Sequence, residues 1–108
     1  EELKADREIA LAAVAQKPYV LRVVAEELKR DEDVVLTAVA KDGEALVYAA
    51  QELRSCHRIV LRAVSQQGRA LRLAAEEMKD DRAIVLTAVA QDGFALQYAA
   101  DVLRGDHE

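Results

Sequence analysis

At 108 residues, 52% hydrophobic and 32% charged, the chain has the make-up of one globular domain with a core of its own, which excludes a disordered segment. A net charge of −5 at pH 7 supplies no dominant basic face for phosphate neutralisation, so nucleic acid is not an expected partner. The longest apolar runs, such as the one from Val34 to Ala40, are much too short to cross a bilayer, so a membrane is not expected either.

The sequence repeats itself every 25 residues. In register the copies occupy residues 1–25, 26–50, 51–75 and 76–100, and residues 101–108 begin a fifth. A fixed period of this length marks a stacked repeat architecture, so the whole chain reads as a single helical-repeat domain. Copies two and four agree at 17 of 25 positions, which points to an underlying unit of about 50 residues built from two unlike copies. The chain lacks an initiator Met and reads as a segment of a longer protein.

The second copy shows the elements in order. Leu28, Lys29, Arg30 and Asp31 form a junction. Val34, Val35, Leu36, Ala38 and Val39 follow as an apolar cluster, and predict a helix A over about residues 31 to 40 or 41. Asp42-Gly43 punctuates. Ala45, Leu46, Ala49, Ala50 and Leu53 then recur on one face and predict a helix B over about residues 43 to 54. Offsets of 25 extend this to eight helices, an all-α fold of four 25-residue hairpins stacked as an α-solenoid, or curved into a compact bundle. Isolated helices of 10 to 13 residues are marginal in water, so each hairpin must bury its apolar face against the next.

Two columns of residues set the expected boundaries. Asp6, Asp31, Asp81 and Asp106 precede each helix A, where a side-chain oxygen can accept from exposed backbone N–H groups. Lys4, Lys29, Arg54, Lys79 and Arg104 fall in the last turn of helix B, where a cation meets the negative end of the helix dipole. A third column holds Gly43, Gly68 and Gly93 but Pro18 in the first copy. Glycine alone suggests a left-handed cap, which proline cannot adopt. Either the first turn differs, or this column opens helix B, where proline is welcome and Asp42 and Asp92 act as caps.

The run L-x-x-D-x-x-x-V-L-x-A-V-x-x-x-G-x-A-L-x-x-A reads as Leu28, Asp31, Val35, Leu36, Ala38, Val39, Gly43, Ala45, Leu46 and Ala49, and again from Met78 to Ala99. It resembles an uncharacterised helical-repeat family, the domain of unknown function 4116. The third copy departs from the pattern at Cys56, and the first at Ala10, Pro18 and Val20. The resemblance implies tandem α-helical hairpins in arrays and carries over no activity, substrate or catalytic residue.

Functional positions are sought where packing leaves the copies free to differ. On helix B these are the columns Tyr19, Glu44, Arg69, Phe94 and Arg22, Val47, Arg72, Gln97; on helix A the column is Ala12, Thr37, Arg62, Thr87. Varied side chains on an invariant frame tailor a repeat surface to a partner, whereas drift on a solvated face gives the same pattern. The third copy carries Arg54, Arg58, Arg62, Arg69 and Arg72 against Glu52, a net of +4 between neighbours of −4 and −3. These arginines either pair with acidic side chains of adjacent copies or form a docking site for an acidic group.

Ser55-Cys56-His57-Arg58 is the one local cluster with reactive potential, although Cys56 stands in the capping column and reads equally as a capping substitution. Neither His57 and His107 nor the carboxylates show metal or acid–base spacing, so no enzyme activity, cofactor or metal is expected. A lone cysteine suits a reducing, intracellular compartment, the cytoplasm by expectation. The composite expectation is a non-catalytic interaction or scaffold module binding a protein or peptide. The alternative is a structural spacer that associates end to end through its unprotected terminal copies.

Overall fold

The computed structural model of the chain describes residues 6–105, and among them every regular element is helical. Each copy, however, folds into three segments where two were expected. The first is a ten-residue α-helix, at Arg7–Gln16, Glu32–Lys41, His57–Gln66 and Arg82–Gln91 (row A). The second is a six-residue 3-10 helix, at Pro18–Val23, Gly43–Tyr48, Gly68–Leu73 and Gly93–Tyr98 (row B). The third is a single helical turn, at Glu26–Lys29, Gln51–Ser55, Glu76–Asp80 and Asp101–Arg104 (row C).

Row A starts where the aspartate column places it. Asp6 accepts from the N–H groups of Glu8 and Ile9 at 3.0 and 3.2 Å, and Asp31 from those of Asp33 and Val34 at 2.9 and 3.3 Å. Asp81 accepts from the Ile84 N–H at 3.1 Å. Each bond satisfies a donor that the first helical turn leaves open. Cys56 shares the column but makes no capping bond; Asp106 lies outside the described residues. At the start of row B, Asp42 and Asp92 accept from the N–H groups of Glu44 and Phe94, both at 3.0 Å. The glycine column is therefore the first residue of the 3-10 helix, with Pro18 at the same place, and none of its members has a left-handed backbone.

The expected helix B over residues 43 to 54 does not form, and the eight-helix count becomes twelve segments among the described residues. The chain leaves the helix at Ala49 (φ −73, ψ 153) and Ala50 (φ −57, ψ 149), with neither proline nor glycine to force the break. What holds the break is a bond to the preceding row C turn. The Ala50 N–H donates to the Lys29 carbonyl at 2.9 Å, Ala75 to Arg54 at 3.0 Å, and Ala100 to Lys79 at 2.9 Å. A continuous α-helix would commit the Ala50 N–H to the carbonyl four residues back; here that carbonyl, Leu46, accepts from Ala49 instead.

The cation column is displaced with it. Lys29, Arg54 and Lys79 lie in row C, not at the end of one long helix. The Arg54 side chain folds back so that Nη2 donates to the Val47 carbonyl at 2.7 Å, closing the open end of the 3-10 helix seven residues upstream. Arg104 does the same to Gln97 at 3.2 Å. Lys29 and Lys79 pair with Glu26 and Glu76 of their own turns.

Copies stack row upon row: A helices on A helices, 3-10 helices on 3-10 helices. The molecule measures 53 × 21 × 17 Å. Its long axis exceeds twice either other dimension, so the copies form an open stack and the compact bundle is not adopted. Leu21, Leu46 and Leu71 of row B are wholly buried, with Val34, Val35, Val39, Ile59, Val60 and Val64 of row A beside them. Side chains also cross between copies to the free carbonyls at row A ends. Lys41 Nζ donates to Ala15 at 2.9 Å, and Gln66 Nε2 to Lys41 at 3.3 Å.

Glycine in row B is required by close approach between copies. A Cβ on Gly43 would run into the Ala63 carbonyl oxygen of the next copy, and one on Gly68 into that of Ala88, while Gly93 faces open space. The obstacle is helix backbone, which cannot give way cheaply. Gly68→Ala is expected to lower stability by about 1–3 kcal/mol, as overpacking does. Gly93→Ala should fall within about 0.5 kcal/mol of the parent, as ordinary surface substitutions do. Urea titrations of the two variants check this, and equal losses at both sites would refute it.

One surface pair at the first junction gives a pH signature. Arg7 donates through Nε to Asp31 at 2.6 Å and through Nη2 to Asp33 at 2.7 Å. The Arg7 hydrogen bond above all, with the Val34 and Asp33 N–H groups, holds the Asp31 carboxyl below the usual carboxylate range against the opposing effect of partial burial. A depressed folded-state pKa stabilises above the ordinary value near 3.8 and loses that contribution as pH falls below it. Asp31→Asn keeps a capping oxygen but removes the charge. With Arg7 half exposed, solvent screening limits the loss to a few tenths to about 1 kcal/mol at neutral pH. The difference between parent and variant should close as pH drops through the acidic range; a gap that persists at the lowest pH would contradict the assignment.

Candidate functional site

The candidate residues do not converge on one face. They fall into two clusters, one on row A and one on row B.

The row A cluster is an open groove of about 740 Å³ lined by Leu36, Thr37, Ala40, Arg58, Leu61, Arg62, Ser65 and Thr87. It runs across three copies, because equivalent residues stand 25 apart on neighbouring helices. Leu36 and Leu61 are half-buried and pack on the core from its edge, so the groove floor is apolar. Thr37 and Thr87 donate their hydroxyls to the carbonyls of Asp33 and Ala83 at 2.8 and 2.9 Å. Arg62 stands between those two threonines in the same column, exposed, and makes no ion pair among the described residues.

The row B cluster brings together Tyr19, Glu44, Val47 and Arg72 with Asp42, Tyr48 and Leu73 around a smaller depression of about 190 Å³. Its charges are spoken for. Glu44 receives Arg69 Nε at 2.7 Å and lies 3.8 Å from Arg72 Nη2, so two arginines of copy three neutralise against the acid of copy two. Tyr19 and Val47 are exposed, as is Arg22. Gln97 donates to the Phe94 carbonyl at 3.1 Å. Phe94 is 83% exposed and lies apart from both clusters, at the far end of the stack beside Gly93, Leu96 and Arg104.

The arginines of copy three thus divide. Arg54 closes a 3-10 helix, Arg69 and Arg72 meet Glu44, and Arg58 meets Glu32 at 3.0 Å. Pairing with neighbouring copies accounts for most of the positive band, and Arg62 is the member left over. Cys56 and His57 also turn to different neighbours. The Cys56 thiol donates to Glu32 at 3.3 Å, and His57 Nε2 lies 3.2 Å from Asp81. They form no nucleophile–base pair, and among the described residues no three His, Cys, Asp or Glu side chains gather at metal-binding distance. No helix among them is long and apolar enough to cross a membrane.

Reading by columns missed the groove floor. Leu11, Leu36, Leu61 and Leu86 form a uniform leucine column, outside the variable columns singled out above. Their place just outside the wholly buried residues was the available signal: they sit between buried Val35, Val60 and Val85 and the variable column.

The fold divides at the points where the known family divides. A family described as a domain of unknown function, DUF4116, matches residues 31–79 and again residues 56–104. Each window opens on a row A cap position, Asp31 or Cys56, and closes on a row C cation, Lys79 or Arg104. Each therefore holds two complete A–B–C triplets, and the windows step by one 25-residue copy. No curated protein and no solved structure matches the chain. With both windows together spanning most of its length and in register with its folded units, the chain belongs to the DUF4116 family as a tandem helical repeat.

Proposed function

We propose that this repeat module is a non-catalytic protein-interaction element that receives a peptide or an amphipathic helix along the row A groove. The observation that carries the reading is the contrast between the groove and its surroundings. Most arginines nearby are neutralised by an adjacent copy, whereas Arg62 lies unpaired over an apolar floor of Leu36 and Leu61. A ligand with apolar side chains and one carboxylate complements that arrangement, since a guanidinium presents several donors in a fixed plane to an acid. The row B columns, with their charges paired internally, serve the reading less well, and Arg69 and Arg72 act there as links between copies two and three. Neither cluster offers the convergent acid, base or nucleophile that a reaction requires.

Arg62 is exposed and makes no ion pair among the described residues, so Arg62→Glu should leave stability within about 0.5 kcal/mol. The same substitution should abolish capture of partners by the immobilised chain, while Arg22→Ala, exposed on row B, retains them. Quantitative comparison of the proteins held by parent and variants, with circular dichroism as the folding control, tests this. Unchanged capture by the Arg62 variant would refute the groove as the contact face.

A further inference from the structure

We infer that Glu32 decides which acid the row A groove accepts: the carboxylate of a peptide side chain and not a phosphate. This rests on the reading of that groove as a peptide site and adds a residue outside its lining. Arg58 and Arg62 stand one turn apart on the helix His57–Gln66, and both line the groove. Such a pair by itself suits a phosphate, whose oxygens can take donors from two arginine forks. Glu32 of copy two withdraws one of them. Its Oε1 accepts from Arg58 Nη1 at 3.0 Å and its Oε2 from the Cys56 thiol at 3.3 Å, so both carboxylate oxygens are engaged by copy three. Arg58 is drawn across the junction with its charge neutralised, and the groove offers one guanidinium.

The charge balance separates two kinds of ligand. A glutamate or aspartate side chain brings one negative charge and two oxygens, which a single arginine fork satisfies. Apolar neighbours along the same peptide rest on Leu36 and Leu61. A phosphorylated serine brings about 1.5 to 2 negative charges at neutral pH. Arg62 alone leaves part of that charge unmatched, on a chain whose own net charge is −5. Recruiting Arg58 as well strips Glu32 of the one cation it pairs with among the described residues, and sets a bare carboxylate against the phosphate. Like charges repel there, so Glu32 selects by what it holds and by what it opposes.

The test uses two synthetic amphipathic peptides with leucines along one face, identical except for a glutamate or a phosphoserine at the edge of that face. Fluorescence anisotropy reads their binding to the 108-residue chain. The parent should bind the glutamate peptide at least as tightly as the phosphoserine peptide. Glu32→Gln keeps the size of the side chain and frees Arg58. It should move the ratio of the two dissociation constants about tenfold toward the phosphoserine peptide, the low end for a hydrogen bond to a charged group. Adding Arg58→Ala to that variant should return the ratio to the parent value, which a merely structural effect of Glu32 would not do. Circular dichroism confirms the fold of each variant. A parent that binds neither peptide or prefers phosphoserine, a ratio unmoved by Glu32→Gln, or a shift that persists without Arg58 would overturn the inference. Capture of partners that does not depend on Arg62 would instead remove the groove reading beneath it, so the two failures are told apart.

Discussion

The hydrogen bond from the Ala50 N–H to the Lys29 carbonyl, repeated at Ala75 to Arg54 and Ala100 to Lys79, fixes the form of this protein. It takes a donor that helix propagation would use within its own segment and gives it to the preceding row C turn. A buried N–H left without an acceptor costs about 1–3 kcal/mol, so the chain leaves the helix only where the neighbour supplies one. Each break is therefore evidence of stacking, and each stack fixes the next break. The alanines at these positions matter for their size, because a small side chain lets the carbonyl of the preceding turn reach the backbone.

The rest of the architecture follows from that register. Ending the second helix after six residues lets the chain turn back in a third segment, so three rows are stacked in place of two. Gly43 and Gly68 then sit directly against the carbonyls of Ala63 and Ala88. The arginines of row C are brought round to the open carbonyls of row B, as Arg54 is to Val47 and Arg104 to Gln97. Charge pairs between copies, such as Arg7 with Asp31 and Arg69 with Glu44, decorate the junctions without determining them. Exposed pairs contribute at most about 1 kcal/mol, less than the roughly 2–5 kcal/mol lost on emptying one buried leucine site.

A frame determined by backbone bonds and small residues leaves much of its outer surface free to vary. The variable columns are the ones the frame does not use, and the structure sorts them by what they touch. At Glu44, Arg69 and Arg72 the row B variation is absorbed into a link between copies two and three. Row A variation is not, and Arg62 stands unpaired over leucines that the core only partly covers.

The sequence by itself determined the period, the all-helical class and the start of row A, and narrowed the start of row B to two alternatives. All of these rest on interactions within about ten residues: an aspartate oxygen reaching the next N–H groups, proline fitting the first helical position, apolar residues recurring on one face. Only the tertiary structure decided that the second helix breaks at Ala49 and Ala50, that the glycines answer to steric approach and not to backbone conformation, and which arginine of the third copy makes no ion pair among the described residues. Those outcomes depend on atoms 20 or more residues away along the chain. Local propensity at Ala49-Ala50 favours helix, and it yields because an acceptor in the preceding row C turn makes the broken form the better satisfied one.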